Sequence, residues 1–297
     1  LKKSNRYLDL HKKKIPLFSA GDYTSMNKDS LRFNLTAIIS DQFSAYPFVE
    51  AIGLGGSSTT GSTDEVSDID LYVFTHETVP INNRVEIVNK RGASRVDLDL
   101  HFWDPGDEWF DAQTGIEVDI MYWNPNWIES QIDRILIQHQ ASLGYSTCHW
   151  HTLRHTSVLF DRNGWLTALI SECDRPYPEV LSQAIIRHNY PVLRDIIPSY
   201  TTQIEKAIKR KDLVSLNHRV TALLASYFDI VFAFNRVPHP GEKRLLTLVP
   251  HLCKVIPKNM EDQVECLLKR SSTADGHLLE IVNKLIDGLD NLLSPTP

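Results

Sequence analysis

The sequence predicts an α+β chain: a mixed β-sheet with helices in the N-terminal half, followed by an α-helical bundle. Two patterns carry this. Between residues 48 and 123, short runs alternate apolar and polar residues or are continuously apolar, as strands do. Beyond Trp127, apolar residues recur at helical spacing in stretches punctuated by prolines at 176, 178, 191, 198, 238, 240, 250 and 257. A third feature, a glycine- and serine-rich turn at Gly55-Gly56-Ser57, joins the first two predicted strands.

Met26 to Phe43 places Leu31, Phe33, Leu35, Ile38, Ile39 and Phe43 near helical spacing and reads as a helix. Phe48 to Leu54 is the first strand. Val66 to Phe74 is the second, with a short helix expected between the turn and it, and Val79 to Lys90 is a helix closed near Gly92. Arg95 to Phe102 alternates strictly, so Asp97, Asp99 and His101 are expected to share a face. The aromatic-rich stretch around Pro105 and Gly106 reads as irregular. Gly115 to Trp123 alternates again, with Ile116, Val118 and Ile120 on one face and Glu117, Asp119 and Met121 on the other. A short apolar run at 157–160 adds an edge strand, and helices are expected over 179–190, 199–210, 212–234, 260–270 and 275–293. The chain divides into a basic segment 1–25, a sheet-containing domain 26–150 and a helical domain 151–297, the boundary falling between 140 and 165.

A composition of 42% apolar and 23% charged residues is that of a folded globular protein rather than a disordered one. No apolar run reaches the roughly 18–20 residues that span a bilayer, and the lysine-rich start lacks the apolar stretch of a signal peptide, so a cytoplasmic protein without a membrane partner is expected. Cys148, Cys173, Cys253 and Cys266 lack paired spacing, which argues for reduced thiols. Cys148, His149, His151 and His155 have ligand-like composition in a spacing that fits no zinc pattern. Gly-x-Ser-x-Gly is absent, so no serine-hydrolase reading arises.

A formal charge of −6 argues against binding nucleic acid through an overall positive field. The charge is also uneven. Residues 46–133 carry 17 Asp and Glu against four Lys and Arg, whereas residues 175–297 carry 16 Lys and Arg against 13 Asp and Glu. The acidic lobe suits divalent cations and the other suits polyphosphate.

The chemistry concentrates at residues 55–70. In Asp68-Ile69-Asp70, alternate side chains of a strand share a face, so the two carboxylates point together and offer hard oxygen ligands of the kind magnesium takes along with substrate phosphates. The turn before them is shaped for phosphate, because glycine lets the backbone approach closely. Gly56, Ser57, Asp68 and Asp70, with eleven residues from Ser57 to Asp68, resemble the signature of the DNA polymerase beta-like nucleotidyltransferase superfamily. Among relatives the chain looks most like bacterial enzymes that adenylylate aminoglycosides or lincosamides.

The resemblance implies an enzyme that moves a nucleoside monophosphate, AMP from ATP or the equivalent from another nucleoside triphosphate, to a hydroxyl of a small molecule with release of pyrophosphate. An antibiotic is one candidate acceptor, and antibiotic resistance the corresponding role. It implies two Mg²⁺ ions shared by Asp68 and Asp70, with Gly55, Gly56 and Ser57 against the triphosphate. The family's third carboxylate falls on Asp119, with Asp97, Asp99 and Glu117 as alternatives. Lys243, in the rigid turn 234–244, resembles a lysine that reaches the triphosphate, and Arg236 and Arg244 could act similarly. Glu108, Asp107 and Asp111 are acids that could attract a polycationic acceptor. Two other functions remain open: modification of tRNA or protein, as by nucleotidyltransferase toxins, and an inactive nucleotide-binding module.

Overall fold

The computed structural model describes residues 27–56 and 68–294. The segment 1–25, Ser57, Val66 and the short helix expected before the second strand lie outside the described residues.

The elements in chain order are α1 (Lys28–Ser44), β1 (Val49–Leu54), β2 (Ile69–Thr75), α2 (Ile81–Arg91), β3 (Arg95–Leu100), β4 (Gly106–Phe110), β5 (Glu117–Trp123), α3 (Pro125–Leu136), α4 (Cys148–Arg154), β6 (Ser157–Asp161), α5 (Trp165–Cys173), α6 (Glu179–Arg194), α7 (Tyr200–Arg210), α8 (Leu213–Phe234), α9 (Leu245–Leu252), α10 (Met260–Arg270) and α11 (Gly276–Leu293). They form two compact units. One holds the described residues up to Gln131 together with Thr152–Arg175; the other holds Ile132–His151 and the described residues from Pro176 onward. β6 and α5 thus lie in the unit of the sheet, and Ile132–His151 in the unit of the helices.

In the first unit a six-stranded mixed sheet runs β3-β4-β5-β2-β1-β6. β2 and β5 are parallel, and the other neighbours are antiparallel. Strand alternation divides the side chains between two faces. Ile52, Leu54, Ile69, Leu71, Val73, Trp109, Val118 and Ile120 join Leu35, Ile39 and Phe43 of α1 and Ile87 and Val88 of α2 in one buried core. Asp70, Tyr72 and Phe74, with Asp119, Met121 and Trp123, point to the opposite face, where Tyr72 stacks on Trp123 at 4.5 Å and Phe74 meets Trp165 edge-on at 5.2 Å. The helix ends are capped by the chain itself. Asn27 accepts from the Ser30 amide at α1, Asp161 accepts from the Leu166 and Thr167 amides at α5, and the Arg162 guanidinium donates to the carbonyls of Ser44, the last residue of α1, and Tyr46.

Two expectations are corrected here. The stretch around Gly106 is a strand, β4, paired with both β3 and β5. Its alternation is hidden because Asp107 points into the core, where Arg84 of α2 donates to it at 2.7 Å and the Tyr122 hydroxyl at 2.6 Å. In β3, the register shifts between Asp97 and Leu100 and Asp99 has φ 60°, so the alternation that would keep Asp97, Asp99 and His101 on one face is broken.

In the second unit, α6, α7, α8, α10 and α11 enclose a core that includes Leu193, Ile204, Leu216, Leu223, Tyr227, Val264 and Leu285. Polar groups pin the loop before α4 to these helices. The Gly144 amide donates to Asn189 at 3.0 Å, and the Ser146 amide and hydroxyl donate to Asp229 at 3.1 and 2.6 Å. Asp229 is buried, and burial raises its carboxyl to about 7 while the Ser146 donors pull it down. Among the described residues no helix is long and apolar enough to cross a membrane.

Arg84→Ala leaves the buried Asp107 without its cation and is expected to destabilise the sheet unit by about 3–5 kcal/mol, measured by denaturant unfolding. For Asp229, a folded pKa above the unfolded one means that stability present at low pH is lost as pH rises toward about 7. Wild type measured against Asp229→Asn is therefore expected to lose on the order of a few kcal/mol between about pH 4 and pH 7 and to level off above. A constant difference over that interval would show that Ser146 and Asn189 accommodate the ionised form without penalty.

Candidate functional site

The turn after β1 and the carboxylate after it are built as one piece. The Gly55 amide donates to the Asp70 carbonyl at 2.9 Å, which extends the β1–β2 ladder by one residue. This amide is therefore engaged in the sheet rather than offered to a phosphate; what Gly55 supplies is the absence of a side chain. A Cβ on Gly55 would lie 2.3 Å from the Tyr72 ring, and one on Gly56 would lie 1.6 Å from Asp70 Oδ2. Gly56 also has φ +68°, the left-handed region that other residues enter only at a cost. The chain can cross Asp70 at this height only as glycine. Asp68 lies immediately before β2 and is half-buried.

Register sets the rest. Asp70 on β2 is the cross-strand partner of Asp119 on β5, Asp119 of Glu108 on β4, and Glu108 of Asp97 on β3. Partners across a sheet point to the same face at strand spacings of about 4.8 Å. The structure thus brings Asp70 and Asp119 side by side and continues them into a row that sequence reasoning missed, because β4 was not recognised. Like charges directly opposite one another are unfavourable, so the row favours cations. On the same face lies Tyr72, 8% exposed, whose ionisation is suppressed first by burial and then by Asp70, Asp119 and Asp104.

The alternatives for the third carboxylate stand differently. Asp99 receives Arg84 at 2.8 Å and His101 at 3.4 Å, and the Arg84 hydrogen bond holds its carboxyl below the usual range. Asp97 ends the row on the edge strand, exposed, 3.4 Å from Arg95. Glu117 lies two residues before Asp119, opposite Phe110. Asp107 and Asp111 are not surface acids that could attract an acceptor: both are buried, Asp107 on Arg84 and Asp111 on Arg91 at 2.6 Å. Of those three, Glu108 alone faces the row.

Among the described residues no three His, Cys, Asp or Glu side chains are grouped so as to hold a metal ion by themselves. This covers Cys148, whose neighbour is His239 with Sγ to Nδ1 at 3.7 Å. Burial pushes the Cys148 thiol up to about 12 and His239 down to about 3, so the pair is a neutral packing contact. The carboxylate row is not a closed cage either. Its oxygens suit a hard divalent cation that takes one or two carboxylates and completes its shell with phosphate and water.

In the helical unit, Lys243 is exposed in the turn that leads into α9. The turn is fixed from behind: the His239 amide donates to Thr147 Oγ1 at 2.7 Å, and His239 Nδ1 accepts from the Gly241 amide at 3.0 Å. Arg236 donates to Glu179 at 2.7 Å, an exposed ion pair. Arg244 begins the helix with φ 57°. Of the aromatic residues near the acids, Trp109 and Trp123 are buried, while Trp103 is 89% exposed.

No family model and no curated protein matches the chain. Among solved structures, a nucleotidyltransferase-like protein from Exiguobacterium sibiricum 255-15 is similar at 14% identity and a TM-score of 0.41, over 88% of this chain and 73% of that one. A STING-associated CdnE c-di-GMP synthase from Capnocytophaga granulosa is similar at 14% identity and a TM-score of 0.29, over 89% of this chain and 80% of that one. Likenesses of this size leave the reading of the site to its own residues.

Gly56→Ala is expected to lower stability by about 1–2 kcal/mol from the backbone conformation alone. The added methyl must also displace the Asp70 carboxylate, so a larger loss is expected in any ligand affinity that depends on Asp70. Thermal unfolding and cation titration on the same sample check both parts.

Proposed function

We propose that the chain is a divalent-cation-dependent nucleotidyltransferase that moves a nucleoside monophosphate, AMP from ATP in the first instance, to a hydroxyl of a small molecule. The observation that carries this reading is the Gly55-Gly56 turn seated directly on Asp70, with Asp70 in register with Asp119 on the parallel neighbour. A turn that admits no Cβ brings its backbone close to the carboxylate, as phosphate-binding turns do, and carboxylates on two neighbouring strands supply the oxygen ligands that a phosphate's cations need.

In this reading Asp68, Asp70 and Asp119 would hold the cations. When bound, Mg²⁺ offsets the charge that builds on the phosphates during an in-line displacement. Gly56 and Ser57 are proposed to bind the leaving pyrophosphate, and Asp70 fixes the height of the Gly56 backbone through the contact that only glycine permits. Tyr72 and Trp123 form a rigid floor, since their rings are stacked and Trp123 Nε1 donates to Asp104 at 3.0 Å. Lys243, carried on a turn braced by His239 and Thr147, is assigned to the triphosphate as a mobile point charge. An antibiotic is retained as one candidate acceptor.

The test is pyrophosphate release with Mg²⁺ and each of the four nucleoside triphosphates, over aminoglycosides, lincosamides, bulk tRNA and no acceptor. Asp68→Asn, Asp70→Asn and Asp119→Asn are each expected to lower the rate at least about 100-fold while the unfolding transition is retained, and Lys243→Ala to raise the nucleotide KM with less effect on kcat. Undiminished turnover in Asp70→Asn would remove the mechanism. Release that requires tRNA would replace the small-molecule acceptor with a macromolecule.

A further inference from the structure

The carboxylate row has a direction. From β1 through β2 and β5 to β4, the residues at one level are Gly55, Asp70, Asp119 and Glu108, a span of three strand spacings or about 14 Å. If the nucleotide lies as proposed above, the leaving pyrophosphate occupies the glycine end. An in-line displacement requires the attacking oxygen on the far side of phosphorus from the leaving group. The acceptor must then enter from the β4 side, where Glu108 is the side chain in register.

Glu108 is also the acid of its hairpin that the fold does not use. Asp107 is held by Arg84 and Tyr122, Asp111 by Arg91 and Thr114, Asp99 by Arg84, and Asp104 by Trp123. Asp97, the next residue of the row, is exposed on the edge strand beside Arg95. Half-buried Glu108 has no hydrogen bond or ion pair among the described residues. The Tyr72 side chain, 8% exposed, lies on the same face two residues after Asp70 and against Gly55, and so closes the glycine end of the row.

We propose that Glu108 is the acceptor-side contact of the site, its carboxylate accepting a hydrogen bond from the hydroxyl that attacks the α-phosphorus. The proposal rests on the nucleotidyl-transfer reading above and adds the side of entry and the chemical group recognised: an O–H donor, presented from the β4 side. In the step, the hydroxyl oxygen bonds to the α-phosphorus as the bond to the bridging oxygen breaks. Pyrophosphate leaves with that electron pair, and the hydroxyl proton passes to solvent water. Glu108 sets the direction from which the oxygen approaches.

The experiment compares wild type, Glu108→Ala, Glu108→Gln and Asp119→Asn in two assays. The first is binding of α,β-methylene ATP with Mn²⁺ by titration calorimetry; the second is formation from ATP of pyrophosphate and the adenylylated acceptor, with excess glycerol and the acceptor panel, or of pyrophosphate and AMP with water alone. Glu108→Ala is expected to bind the analogue within about twofold of wild type and to lose at least about tenfold in turnover with every hydroxyl acceptor. Glu108→Gln, whose amide oxygen still accepts, is expected to fall between the two. Analogue binding weakened in Glu108→Ala as in Asp119→Asn would place Glu108 with the cations and overturn the proposal. Unchanged turnover in both Glu108 variants, or a wild type that binds the analogue but adenylylates no hydroxyl and releases no pyrophosphate, would also overturn it. Failure of wild type to bind the analogue at all would instead sink the nucleotidyl-transfer reading.

Discussion

The constraint on which the sheet unit depends is electrostatic: carboxylates from four adjacent strands, Asp70, Asp119, Glu108 and Asp97, stand in register on one face. Such neighbours repel, and a sheet built only for stability would not place them so. The row persists because each strand is anchored from the other face. Asp70 and Asp119 are carried between buried Ile69, Leu71, Val118 and Ile120, and β4 is anchored by Asp107 and Asp111, whose charges are taken up by Arg84 and Arg91. The two arginines on α2 thus keep the hairpin in place, so that its remaining acid faces the row.

The glycine turn belongs to the same construction. Gly55 closes the ladder on Asp70, and Gly56 crosses its carboxylate in a conformation suited to glycine. In the helical unit the analogous device is polar and buried. Ser146, Asn189 and Asp229 join a loop to two helices, while Thr147 and His239 brace the turn that carries Lys243. Each unit therefore presents its candidate residues from backbone that is fixed by contacts on the far side.

Much of this could be read from the residues alone. The Asp-Ile-Asp step after a glycine turn defines its own geometry, and the alternation of Ile116, Val118 and Ile120 against Glu117, Asp119 and Met121 places Asp119 on a polar face without knowledge of its partner strand. What could not be read was β4. In Gly106-Asp107-Glu108-Trp109-Phe110 the inward position is an aspartate, acceptable there because Arg84 lies 23 positions earlier in the chain, on a different element. Local periodicity carries no record of a long-range ion pair. The same cause hid the bulge at Asp99, which follows Arg84 and the Asp107 carboxylate rather than its own strand pattern. With β4 unrecognised, Glu108 could be seen only as one surface acid among three.

The most direct measurement is anomalous diffraction from crystals grown with Mn²⁺ and α,β-methylene ATP. The account requires manganese against Asp70 and Asp119, the β- and γ-phosphates over the turn at Gly56, and open space above Glu108 on the opposite side of the α-phosphorus. Manganese elsewhere, or a nucleotide whose phosphates lie on the β4 side of Asp119, would contradict it.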